Sequence, residues 1–395
     1  MSNGSPSFPV ALLYSTVGNY AALGREAVAG ALAAIASINS DERLHIRLEP
    51  SIMNATSCDQ RYGALTEAAI RSGTRHIIGT ITSSGRKEVI PVVERNNALL
   101  WYAFPYEGYE ASDRTLYFGA CPNQHLLPLF DHVLPRAGVH PFIVGSNYIW
   151  GWEVARIARE LTEAHGGAVL GDRYLPLGST VCAHLIAEIR EKKPDFILSN
   201  LVGESMHAFL RAYQTLGCED GAFRPENCPV VSCNLTQTDL DALGGVAEGH
   251  ITASAYFDGL DTRENIEFKT AMQSRQGMHQ PISSCFASVY SATRVLGLAI
   301  EEAGTDDPDI IRELVVSRQF ETPLGALALD AATQHARLTP YLARVEENGR
   351  FNLIDTHAVP VAADPYLSGP AAREALRPKP FEQGQVRANT LRVIK

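Results

Sequence analysis

Short apolar runs alternate with helix-length amphipathic segments along most of this chain. In the first part, apolar runs at 10–14, 45–49, 76–79, 98–102 and 115–118 are separated by helical patterns at 26–38, 60–71 and 86–95. The alternation restarts at 141–144 and continues to 230–232. Parallel strands need crossover helices, so this pattern predicts an α/β fold with two doubly wound parallel-sheet lobes.

The order of elements changes past residue 250. A strand at 251–255 is followed by helical patterns at 264–275, 283–303 and 310–317, and then by strands at 325–329, 343–347 and 351–354, which we expect to be antiparallel. A chain that returns to both lobes crosses between them several times. We therefore predict a first lobe of residues 1–121 and 253–336, a second lobe of residues 122–252 and 337–395, and a multi-crossover hinge beside a ligand cleft.

Composition limits the function classes. The chain of 395 residues carries 44 acidic residues against 34 lysines and arginines, a formal net charge of −10. This balance argues against binding nucleic acid through overall charge. The seven cysteines are odd in number and scattered, which favours buried or loop thiols over a disulfide framework or a zinc site.

The location of the protein follows from two further expectations. Residues 1–15 lack the basic segment of a signal peptide, and we identify no apolar stretch of about 18 residues that would span a membrane. We therefore predict a cytoplasmic protein that makes no membrane contact, or a periplasmic one if a leader has been removed.

Open parallel sheets bind ligands beyond the carboxyl ends of their strands, which selects residues 15–20, 79–85, 103–106, 145–152 and 200–205. In 79–85 a serine, Ser83 or Ser84, either only caps the next helix or also contacts a neutral polar ligand. Glu204 either stabilises a helix start or accepts N–H bonds from an amide, urea or amine. Tyr148, Trp150 and Trp152 suit the wall of a cleft, which is packed on one side and wet on the other.

Catalytic and cofactor motifs are missing from the sequence. It contains no Gly-x-Ser-x-Gly elbow, no His-Glu-x-x-His, no Walker A motif and no dinucleotide fingerprint after the first strand. We therefore predict a protein that is not an enzyme and that uses no cofactor or metal.

Four continuous stretches carry a family resemblance: RKEVIPVVERNNALLWYAFPYEGYE (86–110), YFGACPNQ (117–124), FIVGSNYIWGWE (142–153) and ADPYL (363–367). Over nearly its whole length the chain resembles the type I periplasmic-binding-protein superfamily, Leu/Ile/Val-binding branch. Within that branch it is most similar to the short-chain amide receptors that negatively regulate aliphatic amidase operons.

The resemblance implies ligand contacts for Ser83, Tyr102 and Tyr148. The chain departs from the receptor pattern at Ile81, Phe104 and Glu204 and at the pair Gly151-Trp152. Phe104 replaces a hydroxyl-bearing residue, so we expect it to alter ligand choice. Tyr102 and Phe104, two residues apart, are expected to face the same side and to form one wall of the cleft.

The resemblance also implies a function. We predict a sensor of a small amide-like or urea-like molecule that acts as a negative regulator through an RNA-binding antitermination protein, and that forms homo-oligomers. The alternative is the solute-binding component of an ABC importer for urea, short amides or branched-chain amino acids.

Overall fold

The computed structural model describes residues 5–354 and 358–377, so residues 355–357 and 378–395 of the predicted second lobe lie outside it. The first sheet contains five strands: β1 Ser7–Tyr14, β2 Arg47–Asn54, β3 His76–Gly79, β4 Leu99–Tyr102 and β5 Thr115–Tyr117. Their order is β2-β1-β3-β4-β5 and every neighbouring pair is parallel.

The later strands are β6 Pro141–Ser146, β7 Gly171–Leu175, β8 Phe196–Asn200, β9 Val230–Ser232, β10 Ile251–Ser254, β11 Gln319–Thr322, β12 Gly325–Ala328, β13 Tyr341–Val345 and β14 Phe351–Leu353. Seven of them form a second sheet in the order β14-β13-β10-β9-β8-β6-β7. Strands β6 to β10 are parallel, whereas β13 and β14 add antiparallel pairs at one edge. Strands β11 and β12 form a separate antiparallel hairpin.

The helices are α1 Ala21–Asn39, α2 Asp59–Arg71, α3 Ser83–Arg95, α4 Pro122–Ala137, α5 Ile149–Ala164, α6 Ala183–Lys192, α7 Glu204–Glu219, α8 Gln237–Leu243, α9 Arg263–Gln276, α10 Ser284–Ala303, α11 Pro308–Ser317 and α12 Pro370–Ala375. Short 3₁₀ helices cover Gly221–Phe223 and Gly244–Ala247. The predicted fold class, two doubly wound parallel-sheet lobes, is confirmed.

Four of these helices and strands were not predicted: α4, α8, α12 and β11. Helix α4 carries Pro128 and Pro135 inside it, and proline is normally read as a helix breaker.

Strand β10 of the second sheet ends at Ser254, past the predicted lobe boundary at 252/253. The chain leaves the first sheet after β5 and returns to it through α10, which packs on α1 and on β3 and β4.

Helix α1 is long and apolar enough to cross a membrane by length and composition, which the sequence analysis did not recognise. It connects β1 to β2, and ten of its residues are buried, so it is a core helix of the first lobe. Gly30 permits close packing on α10, because a Cβ there would lie 2.4 Å from the carbonyl oxygen of Phe286.

Several histidines are buried in the neutral form. Burial lowers the pKa of His76, His125 and His335 to about 4, and that of His250 to about 3. The unfolded chain binds protons near pH 6.5 whereas these folded sites do not, so the folded state loses stability as pH falls from 6.5 toward 4.

We therefore expect the free energy of unfolding to fall by about 1 kcal/mol per buried histidine between pH 7 and pH 5.5. Urea denaturation at a series of pH values measures this. His250→Gln should flatten the dependence, while the exposed control His184→Gln should leave it unchanged. Equal slopes in all three proteins would contradict the assignment.

Candidate functional site

A cavity of about 80 Å³ lies where the two lobes meet. A single water needs roughly 10–15 Å³ on this scale, so the cavity has room for a small organic molecule. The first lobe contributes Leu23, Ile81, Ala103, Phe104, Pro105, Phe118, Gly119, Ala120, Ser284, Cys285 and Ser288, and the second contributes His125, Tyr148, Trp150, Val202, Gly203, Met206, Cys233, Asn234, Leu235, Thr236, Asp239, Ala253 and Ser254, with Ala255 following directly.

Most of these residues follow the carboxyl ends of parallel strands. The segments after β3, β4 and β5 face those after β6, β8 and β9, as expected for ligand sites of open parallel sheets. The lining is chiefly apolar and aromatic, which is typical of small-molecule sites.

Four predicted site residues line the cavity: Ile81, Phe104, Tyr148 and Trp150. Tyr148 is the N-cap residue of α5 and packs against the hydrophobic cores of both lobes. Burial raises the pKa of its hydroxyl well above the usual value, so the group stays protonated.

Two other predicted contacts, Ser83 and Tyr102, lie behind the cavity wall. Tyr102 is fully buried and its hydroxyl donates to the carbonyl oxygen of Ile81 at 3.1 Å. Strand β4 ends at Tyr102, so the alternation that would put residue 104 on the same face ends there.

The hydroxyl of Ser83 donates to Oε2 of Glu107 at 2.5 Å. The helix cap is Thr82, whose Oγ1 accepts from Gly85 N at 3.0 Å, rather than Ser83 or Ser84.

The expected ligand contact of Glu204 is not supported by its position. Glu204 is exposed and does not line the cavity, although its neighbours Gly203 and Met206 do. It begins α7, so the geometry fits the other reading, in which its charge stabilises the start of the helix.

A buried ion cluster supports the wall formed by residues 103–105. Arg86, which is 0% exposed, donates from Nη2 to Glu107 Oε1 at 2.8 Å and from Nε to Glu110 Oε1 at 2.7 Å. Its guanidinium lies 4.7 Å from the ring centres of both Tyr102 and Tyr106. Burial would raise the pKa of Glu110, but the charge of Arg86 outweighs it and the pKa is lowered. The cluster fixes the loop after β4 against α3.

Several cavity residues were not predicted from the sequence. Most of them lie on α4, which was itself not predicted, or on α10, through which the chain returns to the first lobe. His125 lies on α4, while Ser284, Cys285 and Ser288 lie on α10. Asn234 and its neighbours follow β9, so the strand-end rule could have selected them. Among the described residues, no group of three His, Cys, Asp or Glu side chains is arranged to hold a metal ion.

The lobes touch at glycines on the second lobe. A Cβ on Gly203 would lie 2.5 Å from the carbonyl oxygen of Asn19, and one on Gly178 would lie 2.5 Å from Asn19 Oδ1. The approach of the lobes in this conformation therefore excludes a side chain at Gly203, where the obstacle is backbone, whereas at Gly178 the obstacle is the exposed side chain of Asn19.

We expect Arg86→Gln to lower the free energy of unfolding by about 3–5 kcal/mol, because it leaves the buried carboxylate of Glu107 without a cation and leaves Glu110 paired only with Lys87. The matched control is Lys87→Gln. Lys87 binds the same Glu110 at 3.0 Å from a side chain that is 43% exposed, so its loss should cost less than about 1 kcal/mol. Chemical denaturation measures both, and similar losses would contradict the special role of Arg86.

We expect Gly203→Ala to hold the lobes apart, because its methyl group would collide with Asn19. Gly244→Ala is a matched control, since Gly244 has nearly the same backbone angles (φ 61°, ψ −139° against φ 57°, ψ −136°) and no atom within 4 Å of its would-be Cβ. Small-angle scattering should show a larger radius of gyration for Gly203→Ala alone. Equal radii in the two variants would refute the collision.

Comparison with known proteins agrees with this geometry. A leucine-, isoleucine-, valine-, threonine- and alanine-binding protein of Pseudomonas aeruginosa is 21% identical over 343 residues, covering 83% of this chain and 87% of that protein. A solute-binding protein of an ABC transporter from Rhodopseudomonas palustris, solved with p-hydroxybenzoic acid, superposes with a TM-score of 0.80 at 19% identity, covering 91% of this chain and 98% of that one.

A shorter match involves a limonene hydroxylase of Geobacillus stearothermophilus, 27% identical over 122 residues. It covers 31% of this chain, and the chain spans only 22% of the length of that relative. The sequence profile of the periplasmic binding protein domain family matches residues 8–371. The chain is therefore a member of the periplasmic binding protein family, in its type I, Leu/Ile/Val-binding branch.

Proposed function

We propose that this protein is a solute-binding component of an ABC importer, which encloses one small organic molecule between its lobes. The observation that carries this proposal is the cavity that is lined by residues of both lobes. A molecule that touches both walls favours the closed arrangement over an open one, and closure changes the surface that a membrane partner meets.

The importer role was the alternative reading of the sequence, and the comparisons support it better than the regulator role. The Pseudomonas and Rhodopseudomonas proteins are described as an amino-acid-binding protein and an ABC transporter component. No comparison supports an RNA-binding antitermination partner, so the predicted sensor, its partner and its homo-oligomeric state stay predictions from the resemblance. The importer role favours a location outside the cytoplasm, in contrast to the cytoplasmic expectation.

We propose that the protein binds its solute and does not convert it into another molecule. The two relatives matched over most of this chain are named for binding, and the match to the hydroxylase is confined to 122 residues. Burial raises the pKa of the Cys233 and Cys285 thiols in the cavity wall well above the ordinary value, so neither is an activated nucleophile.

A thermal-shift screen tests solute binding with leucine, isoleucine, valine, urea, acetamide, butyramide, 4-hydroxybenzoate and benzamide. A solute that binds only the folded state at about 100 times its Kd stabilises that state by about 2.7 kcal/mol, which raises the melting temperature by several degrees. NMR of the released solute should show it unchanged.

Two variants make the screen specific to the cavity. Ser288→Phe places a ring on the cavity wall and should abolish the shift, whereas Ser274→Phe on the exposed face of α9 should preserve it. Failure of every solute, or a shift that survives Ser288→Phe, would count against a cavity-binding role. Osmotic-shock fractionation of the native cells separates the importer reading from the regulator reading, since only the importer component is released with the periplasm.

A further inference from the structure

We infer that a second, open pocket binds an organic carboxylate that carries a hydroxyl group and an apolar body, between Lys269 of the first lobe and Arg350 of the second. The pocket lies beside the crossover from β10 to α9 and has a volume of about 360 Å³. It shares no lining residue with the central cavity. The inference therefore adds a site and does not depend on the proposed function.

Both lobes build this pocket, and its volume lies within the range of small-molecule sites. The first lobe contributes the segment after β10, helix α9 and the loop that leads to α10, namely Asp258, Gly259, Lys269, Gln273, Met278, His279, Gln280, Pro281 and Ile282. The second lobe contributes Gln237, which begins α8, and Arg350 and Phe351 at the start of β14. A molecule in the pocket therefore contacts both lobes.

The first argument is the charge of the lining. Among the described residues that line the pocket, Lys269 and Arg350 are positively charged and Asp258 is the only carboxylate. Both oxygens of Asp258 are engaged, because Oδ1 accepts from Ile282 N at 2.9 Å and Oδ2 accepts from Lys269 Nζ at 2.7 Å. Two cations against one paired carboxylate favour an anionic ligand.

Both cations keep donors for such a ligand. Lys269 Nζ uses two N–H groups, one on Oδ2 of Asp258 and one on its carbonyl oxygen at 2.9 Å. An ammonium has three donors, so one is left on a side chain that is 40% exposed. Arg350 is exposed, and its guanidinium makes no hydrogen bond or ion pair with another described residue. Its planar fork matches the geometry of a carboxylate.

The second argument is an acceptor in the wall. Gln237 is 5% exposed, and its Nε2 donates to Asp241 Oδ1 and to the carbonyl oxygen of Gly349, both at 3.0 Å. Both partners only accept, so the amide nitrogen faces them and Oε1 faces away. Oε1 has no partner among the described residues and is not one of the unpaired polar atoms that are closed off from solvent. Because Gln237 lines the pocket, Oε1 can accept from a hydroxyl on a bound molecule.

The third argument is the apolar part of the wall. Met278, Pro281, Ile282 and Phe351 line the pocket together. The ring of Phe351 packs against that of Phe257, with 5.0 Å between their centres. An inorganic anion would leave this apolar surface in contact with water, whereas an organic body would cover it. The lining therefore favours an organic acid.

Isothermal titration with mandelate tests the inference at pH 7.5 and low ionic strength. Phenylacetate lacks the hydroxyl group of mandelate, and mandelamide lacks its negative charge. We expect mandelate to bind at least about fivefold more tightly than either analogue, because each analogue leaves part of the polar lining unpaired. The absence of mandelate binding would overturn the inference, and so would equal or tighter binding of either analogue.

Three variants locate the bound mandelate. Arg350→Gln should weaken binding about tenfold, because it removes a charge-assisted hydrogen bond. Arg344→Gln is the matched control, since Arg344 is also exposed, lies on β13 of the same hairpin and does not line the pocket. Ser288→Phe, in the wall of the central cavity, should leave mandelate affinity unchanged.

Unchanged affinity in Arg350→Gln, or equal losses in Arg350→Gln and Arg344→Gln, would remove Arg350 from the site and overturn the inference. Loss of mandelate binding in Ser288→Phe would place the anion in the central cavity, which would overturn this inference while leaving the proposed importer role intact. The comparison of mandelate with its analogues uses the unsubstituted protein and does not depend on how the variants fold.

Discussion

The buried guanidinium of Arg86 is the interaction on which the first wall of the cleft depends. It joins α3 to the loop after β4 through Glu107 and Glu110, and it is covered by the rings of Tyr102 and Tyr106. Ser83 donates to the same Glu107, so the start of α3 belongs to the cluster as well. A buried cation is tolerated only when its partners are fixed around it, and this requirement makes the loop rigid.

The same cluster explains why Ser83 and Tyr102, which were expected to contact the ligand, do not line the cavity. The hydroxyl of Ser83 donates a hydrogen bond to Glu107, and the hydroxyl of Tyr102 donates one to the carbonyl oxygen of Ile81. The cavity is lined instead by the neighbouring apolar residues Ile81 and Phe104. The polar side chains of the cavity lining come instead from other elements of both lobes, among them Ser284 and Ser288 of the first lobe and Asn234 and Asp239 of the second.

The junction between the lobes also involves two glycines, Gly178 and Gly203. Both have positive φ angles and both meet Asn19 of the first lobe. Each glycine therefore serves two purposes, since it permits the local turn and leaves room for the other lobe.

The sequence by itself determined the fold class, because the alternation of strand and helix periods is a local property of the chain. It also indicated four residues of the cavity wall, since the strand-end rule needs only the order of the elements. It could not place His125, because the prolines of α4 obscure that helix. It could not separate Glu204 from Met206, because the direction of each side chain depends on how α7 meets the second sheet. Only the tertiary structure decided which polar side chains are hydrogen-bonded within the scaffold and which line the cavity, because hydrogen bonds between residues far apart in the chain have no signature in local sequence.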